Sequence, residues 1–542
     1  LIYPTLFLNE TFAAPVDGKV YGIHSATQGF VRAFLDYARP AELRFRTDKE
    51  DVRVALRDEA ARADVPMTEI ERADDINRCA MYFSVPQADA FWLRRSAGAA
   101  RYAICGVHHS LTGAGLSAHM RDLIFAPTEP WDALICTSRA SRDAVQRMVE
   151  GWTDFLASRG GALPEPRLQF PVIPLGVDTA TFRPAKRDRF AATGLRAKLG
   201  IPPDALAVLF LGRLNFSSKA HPLPMFQALE RARSDSGRPI HLLQAGWFPS
   251  DAVAEATAAL AREASASVVH HHIGSVSGAG RGDVYEAADV FISLTDNIQE
   301  TFGLTLVEAM ASGLPVVATD WDGYRDTVVD GVTGFLVPTT MAPAGAGREI
   351  GLAAGLGGRP YNRSLMDAAQ ATSVDVDAVT RAVVALGADP VLRSRMGEAG
   401  RRRAEALFDW RVVIAAYREL WAELDDRRNA EGASDSSAVD DPLHPDPFRV
   451  FSGFASRRFD TGALLRLHPD WRARFRMGTG SPILRAQSDL LLDAGGMQRL
   501  VQALYEGAGV TCAGLCTQFG DEAGRTTRSL FWLMKLGAVE VA

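Results

Sequence analysis

The chain has 542 residues, of which 47% are apolar and 23% charged. This is ordinary globular composition, which excludes disorder of the whole chain and suggests two to four domains. The net charge of −6 leaves no global basic footprint for nucleic acid. No run reaches the roughly 18 consecutive apolar residues that a spanning helix needs, and five cysteines are too few and too scattered for a disulfide scaffold. The opening LIYPTLFLNE has neither a basic flank nor a small-residue cleavage site and does not read as a signal peptide. A cytoplasmic setting is the simplest expectation, with any membrane contact peripheral at the inner face.

In chain order, short apolar runs alternate with longer amphipathic stretches. TLFLN, YAICGV, ALICTS and FPVIPLG predict strands, and FVRAFLDYA and ASRDAVQRMVEGW predict helices. Residues 10–24, between the first strand and the first helix, form a long loop. A second series follows: ALAVLFLG, PIHLLQAG, SVVHHHIG, DVFISLT and LPVVATD, again separated by helical patterns. Near-continuous apolar strands between helices predict parallel sheet covered on both faces. Two such series predict two doubly wound, Rossmann-like α/β domains. The expected boundaries are 1–185 for the first domain and 186–427 for the second, whose last helix is expected to pack back on the first. Residues 339–375, rich in Ala, Gly and Pro with weak periodicity, read as an insertion. Residues 428–447 read as a polar linker. Residues 448–542 read as a small, mainly helical accessory domain with helical patterns at 486–507 and 526–536.

The densest chemical signal is QETFGLTLVEAM, residues 299–310, at the carboxyl end of the strand DVFISLT. Open α/β sheets bind ligands at that edge. Gly303 marks the turn into a helix, and Phe302-Gly303-Leu304 exposes the N–H groups of its first turn, an anion site. Glu300 precedes the turn and Glu308 lies about one turn inside. Carboxylates only accept hydrogen bonds, so they suit vicinal hydroxyls. A phosphate flanked by two polyols is a nucleotide sugar. The second signal is GRLNFSSK, residues 212–219, at the end of the strand ALAVLFL. Its Arg213 and Lys219 can converge on a diphosphate, one as a bidentate fork and the other as a point charge.

Together GRLNFSSK, ETFGLTLVE and GLPVVATDWDGYRDTVVDGVTGFLV resemble the retaining family 4 glycosyltransferases of the two-domain GT-B fold. VIPLGVDTATFRP and ICTSRASRDAV support the resemblance, which covers roughly residues 1–425. It implies that Arg213 and Lys219 bind the donor diphosphate, that Glu300 contacts the donor sugar, and that Glu308 holds the nucleotide ribose. It also implies that Gly303 and Leu304 supply phosphate-facing amides and that the base sits against the loop near Gly274–Val276. His109, with His108 as the competing register, matches the family histidine that reaches the donor sugar across the cleft. Tyr21-Gly22-Ile23 resembles the family's Gly-Gly loop, with Tyr in place of the first Gly. The implied substrates are a UDP-, GDP- or ADP-sugar and a saccharide, lipid-linked or other hydroxyl acceptor, with cell-surface polysaccharide synthesis as a typical setting. No tightly bound cofactor and no metal are expected.

Competing readings are a catalytically silent sugar-nucleotide scaffold and a GT-B phosphorylase. Both Glu and both cations argue against the first, and the missing pyridoxal-lysine motif argues against the second. Asp320-Trp321-Asp322 looks superficially like a D-x-D metal motif, but the family has a turn there. His270, His271 and His272 alternate faces on a strand and cannot share one ion. Cys512 and Cys516 lack the further ligands of a zinc site. Residues 526–541 faintly resemble a helix and wing of a winged-helix unit. With little basic excess there, protein contacts or oligomerisation are the expected role, and nucleic acid is not.

Overall fold

The computed structural model describes residues 3–13, 22–112, 116–160, 166–184, 194–276, 279–355, 361–431, 442–443, 445–457, 459–480, 490–507 and 509–542. The chain divides into two compact units, Leu1–Leu443 and His444–Ala542.

The first unit carries two sheets. Strands β1 (Thr5–Phe7), β2 (Leu43–Arg46), β3 (Met67–Glu69), β4 (Cys79–Tyr82), β5 (Ala103–Val107) and β6 (Ala133–Ile135) form a parallel sheet in the order β3-β2-β1-β4-β5-β6. Strands β7 (Leu206–Leu211), β8 (Ile240–Ala245), β9 (Val269–Gly274), β10 (Val290–Ser293), β11 (Val316–Thr319) and β12 (Gly334–Val337) form a second, in the order β12-β11-β10-β7-β8-β9. Both are Rossmann-like, with the order reversing between the first and fourth strands. All of β7, β8, β10 and β11 is buried, as sheets covered on both faces require. A buried Arg–Asp pair ties each sheet to its loops: Arg94 with Asp132, and Arg196 with Asp289 at 2.9 Å. Each Asp also accepts a strand N–H, from Ile104 and Ala207 respectively.

The helices stop and start on local chemistry. Ser138 and Ser141 form a capping box for the Arg139–Ser158 helix. Pro222 occupies the first turn of the Pro222–Ser236 helix, where a missing N–H costs nothing. The long Trp410–Glu431 helix follows the second sheet in sequence but buries Trp410, Val413, Tyr417, Trp421 and Leu424 in the core of the first. There Tyr417 meets Phe30 edge-on at 4.9 Å, and Trp421 meets Phe34 at 5.9 Å.

Two expectations need correction. FPVIPLG is not a strand. It runs beside β6 through isolated bridges of Gln169 and Val172, because Pro171 and Pro174 lack ladder donors. The linker expected from residue 428 begins later, since the helix continues to Glu431. The weak periodicity at 339–375, read as an insertion, hides regular elements: β13 (Thr339–Met341) and β14 (Thr372–Val374) pair antiparallel around helices Arg348–Gly355 and Tyr361–Ala369. Most of the loop 10–24 lies outside the described residues, as do Tyr21, residues 185–193 around the expected domain boundary, and residues 432–441.

In the second unit, β15 (Leu465–Leu467) pairs antiparallel with β16 (Val539–Val541). Helices Trp471–Gly480, Ala494–Glu506, Cys512–Phe519 and Ala523–Lys535 accompany them. Their core is Leu465, Leu500, Leu515, Leu530, Leu533 and Val539. No helix among the described residues is long and apolar enough to cross a membrane.

Candidate active site

The carboxyl ends of β7 and β10, neighbours at the point where the strand order reverses, open onto a cavity of about 750 Å³, a size that holds a small organic ligand. The loop after β7 is curled by Asn215. Its Oδ1 accepts from the Ser217 N–H at 3.0 Å and Oγ at 2.7 Å, and its Nδ2 donates to Ser218 Oγ at 2.9 Å. This Asx turn brings Arg213 and Lys219 onto the same wall. Arg213 donates to the Ser218 carbonyl at 3.2 Å and to Gln299 Oε1 at 2.9 Å. Lys219 forms an ion pair with Glu300, with side chains 14% and 16% exposed. Burial pushes the Glu300 carboxyl up, but Lys219, Arg213 and the Phe302 N–H outweigh it and hold the group below the usual carboxylate range.

Gly303 has φ +96°, and a Cβ there would collide with the Tyr324 ring. Only glycine fits this turn. The Leu304–Ala311 helix begins immediately after it with no side-chain cap, and Phe302, Gly303, Leu304 and Thr305 line the cavity. The Leu306 N–H turns back to the Gly303 carbonyl at 3.0 Å, and among the described residues the Leu304 and Thr305 N–H groups remain for a ligand. Tyr324, beneath the turn, bonds Ser293 Oγ at 2.9 Å.

The opposite wall comes from the first sheet's loops. Gly22, Ile23 and Ser25 at the start of the Gly22–Ala33 helix, with His109 and Ser110 after β5, line it. His109 rather than His108 reaches the wall. Burial lowers His109 to about 4 and His108 to about 3, so both imidazoles are neutral at pH 7. Among the described residues their ring nitrogens have no hydrogen-bond partner. Thr301 joins the two halves: its Oγ1 donates to the His109 carbonyl at 3.1 Å, and its own carbonyl accepts from Thr137 Oγ1 at 3.3 Å. Arg139 and Asp326 add a 2.6 Å ion pair across the same seam.

Of the residues expected from the sequence, Arg213, Lys219, Glu300, His109, Gly303, Leu304, Gly22 and Val276 share this one cavity. Gly274 and Glu308 do not line it. The Gly274 carbonyl accepts the Gly246 N–H at 2.8 Å. Glu308 sits behind the wall, its side chain 4% exposed, paired with Arg281 and accepting from the Tyr285 hydroxyl at 2.8 Å. Burial pushes Glu308 above the usual range, against the pull of Arg281 and Tyr285. Arg281, in the Ala279–Ala287 helix, does line the cavity, and the sequence reading missed it. Asn362, from the segment read as an insertion, was missed as well. The three consecutive histidines go separate ways: His270 to Ser265, His271 to His241, and His272 to the Gly246 carbonyl. Asp320 is paired with Arg325 at 2.8 Å.

Two doubly wound domains facing across a cleft, with cations and an open helix terminus at the switch point of one of them, define a GT-B architecture. Residues 193–350 match the family model described as glycosyl transferases group 1. It is 31% identical over 268 residues to a D-inositol 3-phosphate glycosyltransferase of Kineococcus radiotolerans, covering 49% of this chain and 54% of that one. It is 34% identical over 263 residues to the same-named protein of Xylanimonas cellulosilytica, covering 48% and 52%. The chain thus spans about half the length of these curated relatives. The crystal structure of Anabaena HepE in complex with UDP and glucose shares the fold, with a TM-score of 0.50 and 14% identity over 77% of this chain and 99% of that one.

Proposed function

We propose that the protein transfers a glycosyl group from a nucleoside-diphosphate sugar to a hydroxyl acceptor, with retention of anomeric configuration. The acceptor class is a saccharide or lipid-linked hydroxyl, admitted from the side of Gly22 and His109. The observation that supports this best is the convergence of Arg213, Lys219, Glu300 and the uncapped Leu304–Ala311 terminus on one cavity.

The chemistry follows from the charges. The acceptor oxygen bonds to the anomeric carbon as the bond from that carbon to the diphosphate oxygen breaks. The electron pair of that bond leaves with the nucleoside diphosphate, whose departing oxygen takes the acceptor's proton. Negative charge therefore grows on phosphate during the step. Two fixed cations and a helix terminus that already point there stabilise it without reorganising. Glu300, kept ionised by Lys219, accepts hydrogen bonds from donor-sugar hydroxyls. His109, neutral, offers one hydrogen bond from the facing wall and carries no charge. The nucleoside end reaches toward Val276 and Glu308.

The test is release of nucleoside diphosphate from UDP-glucose, GDP-mannose and ADP-glucose with a panel of saccharide acceptors, the product anomer being read by NMR. One donor is expected to be used, and Arg213→Ala is expected to lower turnover by ~10²-fold or more. Wild-type activity in both Arg213→Ala and Lys219→Ala, or an inverted product, overturns the assignment.

A further inference from the structure

Arg281, Leu304 and Thr305 line the cavity, and Glu308, paired with Arg281, lies behind that wall. Glu308 has two oxygens, and both protein donors use the same one. Arg281 Nη2 and the Tyr285 hydroxyl each bond Oε2, and the described residues give Oε1 no hydrogen bond. The Thr305 hydroxyl, on the cavity wall, is buried and has no partner among the described residues. A buried orphan hydroxyl beside a half-satisfied carboxylate is a site that expects a ligand. One acceptor and one donor–acceptor side by side match the two vicinal hydroxyls of a ribose.

Arg281 is what keeps that arrangement in place. Its guanidinium lies over the Phe182 ring at 5.8 Å, which with Glu308 fixes it from two sides. We propose that Arg281 is a positioning residue for the nucleoside end of the donor: it holds the Glu308 carboxylate turned so that Oε1 and Thr305 Oγ1 together take the ribose diol. This rests on the nucleotide-sugar reading above. Among the described residues, the charged and titratable groups that face Glu308 are Arg281 and Tyr285. Burial favours the protonated carboxyl, and Arg281 is the largest opposing influence. Without Arg281 the carboxyl rises further, and a proton then occupies an oxygen that should accept.

The experiment is calorimetric titration of UDP, GDP and ADP into the wild type and into Arg281→Met, Arg281→Lys and Tyr285→Phe, each from pH 5.5 to 8.5. The wild type should bind one nucleotide with an affinity that falls less steeply towards low pH than that of Arg281→Met. Arg281→Met should bind the same nucleotide about 10- to 100-fold more weakly at low pH and recover as pH rises and Glu308 ionises. Arg281→Lys should restore most of the affinity and flatten the profile. Tyr285→Phe should give a smaller version of the Met effect and keeps the test alive should Arg281→Met fail to fold. Wild-type binding in Arg281→Met, or a loss equal at every pH and not rescued by Lys, overturns the positioning role while leaving the nucleotide reading intact. Absence of binding by every nucleotide to the wild type overturns both.

Discussion

Replacing Lys219 by Met keeps most of the side chain's volume and removes its charge. Two consequences can be separated. The first is structural. Lys219 and Glu300 are both mostly buried, and two unit charges about 4 Å apart at an effective dielectric of about 20 attract by roughly 4 kcal/mol. Part of that offsets the desolvation of Glu300, which stays behind with Arg213 and the Phe302 N–H. A net loss of about 1–3 kcal/mol follows, below the figure for fully buried pairs because both groups touch the cavity. The sign with pH is fixed: the folded carboxyl lies below its unfolded value near 4.5. The pair therefore stabilises the fold above that pH, and the contribution is lost as pH falls through the folded value. The second consequence is catalytic. A fixed cation at the departing phosphate is worth ~10²–10³ in turnover. Urea unfolding and single-turnover donor cleavage, on Lys219→Met and on Lys219→Met/Glu300→Gln, resolve the two. The double variant should regain most of the stability, since no charge is left stranded, and none of the turnover. Turnover of Lys219→Met within about fivefold of wild type, or strictly additive losses of stability, would refute the reasoning.

Burial raises Asp296 to about 7 against a bond from the His221 N–H. A raised carboxyl destabilises the fold as pH climbs from its unfolded to its folded value, so Asp296→Asn should gain about 1–4 kcal/mol on wild type at pH 8. Near pH 4 it should gain almost nothing, as denaturation curves at both pH values will register. Gly303→Ala, strained by φ and by the Tyr324 ring, should cost about 2 kcal/mol or more and abolish nucleotide-induced thermal stabilisation. His109→Ala should lower kcat without weakening nucleotide binding. Because the imidazole is already neutral, the wild-type pH–rate profile should show no limb near 6.5 that vanishes in this variant.

Legibility of the fold tracked burial only in part: β4, with Cys79, Ala80 and Met81 buried, was missed, and β9, with no buried residue, was found as SVVHHHIG. Strands β7, β8, β10 and β11 are buried along their whole length because both faces are covered; they read as apolar runs broken only by His241 and Gln244 or closed by Ser293 and Thr319, and each was found. LRFR and MTE were missed because β2 and β3 carry charges on partly exposed faces towards the sheet edge. FPVIPLG misled because an apolar run reports burial, whereas a ladder also needs N–H groups that its prolines lack. At the site, the residues on short loops after strands were legible, since their six-residue spacing across the Asn215 turn puts Arg213 and Lys219 on one wall. Arg281 was not: the run SGAGRGD has no apolar period, and an arginine in it reads as surface. The depth of Glu308 was hidden for a related reason. Four residues along a helix from Leu304, it was expected to face the ligand, yet its side chain is only 4% exposed and is engaged by Arg281 and Tyr285.

The Trp410–Glu431 helix has a consequence for how the protein is made. The aromatic side chains that close the first sheet's core are encoded almost three hundred residues after that sheet's last strand. At about 5–20 residues per second, the ribosome needs roughly 15–60 s to deliver them. Over that interval Phe30 and Phe34 lie on an open apolar face at the tunnel exit. A truncation before Trp410 would leave that apolar face without the helix that covers it.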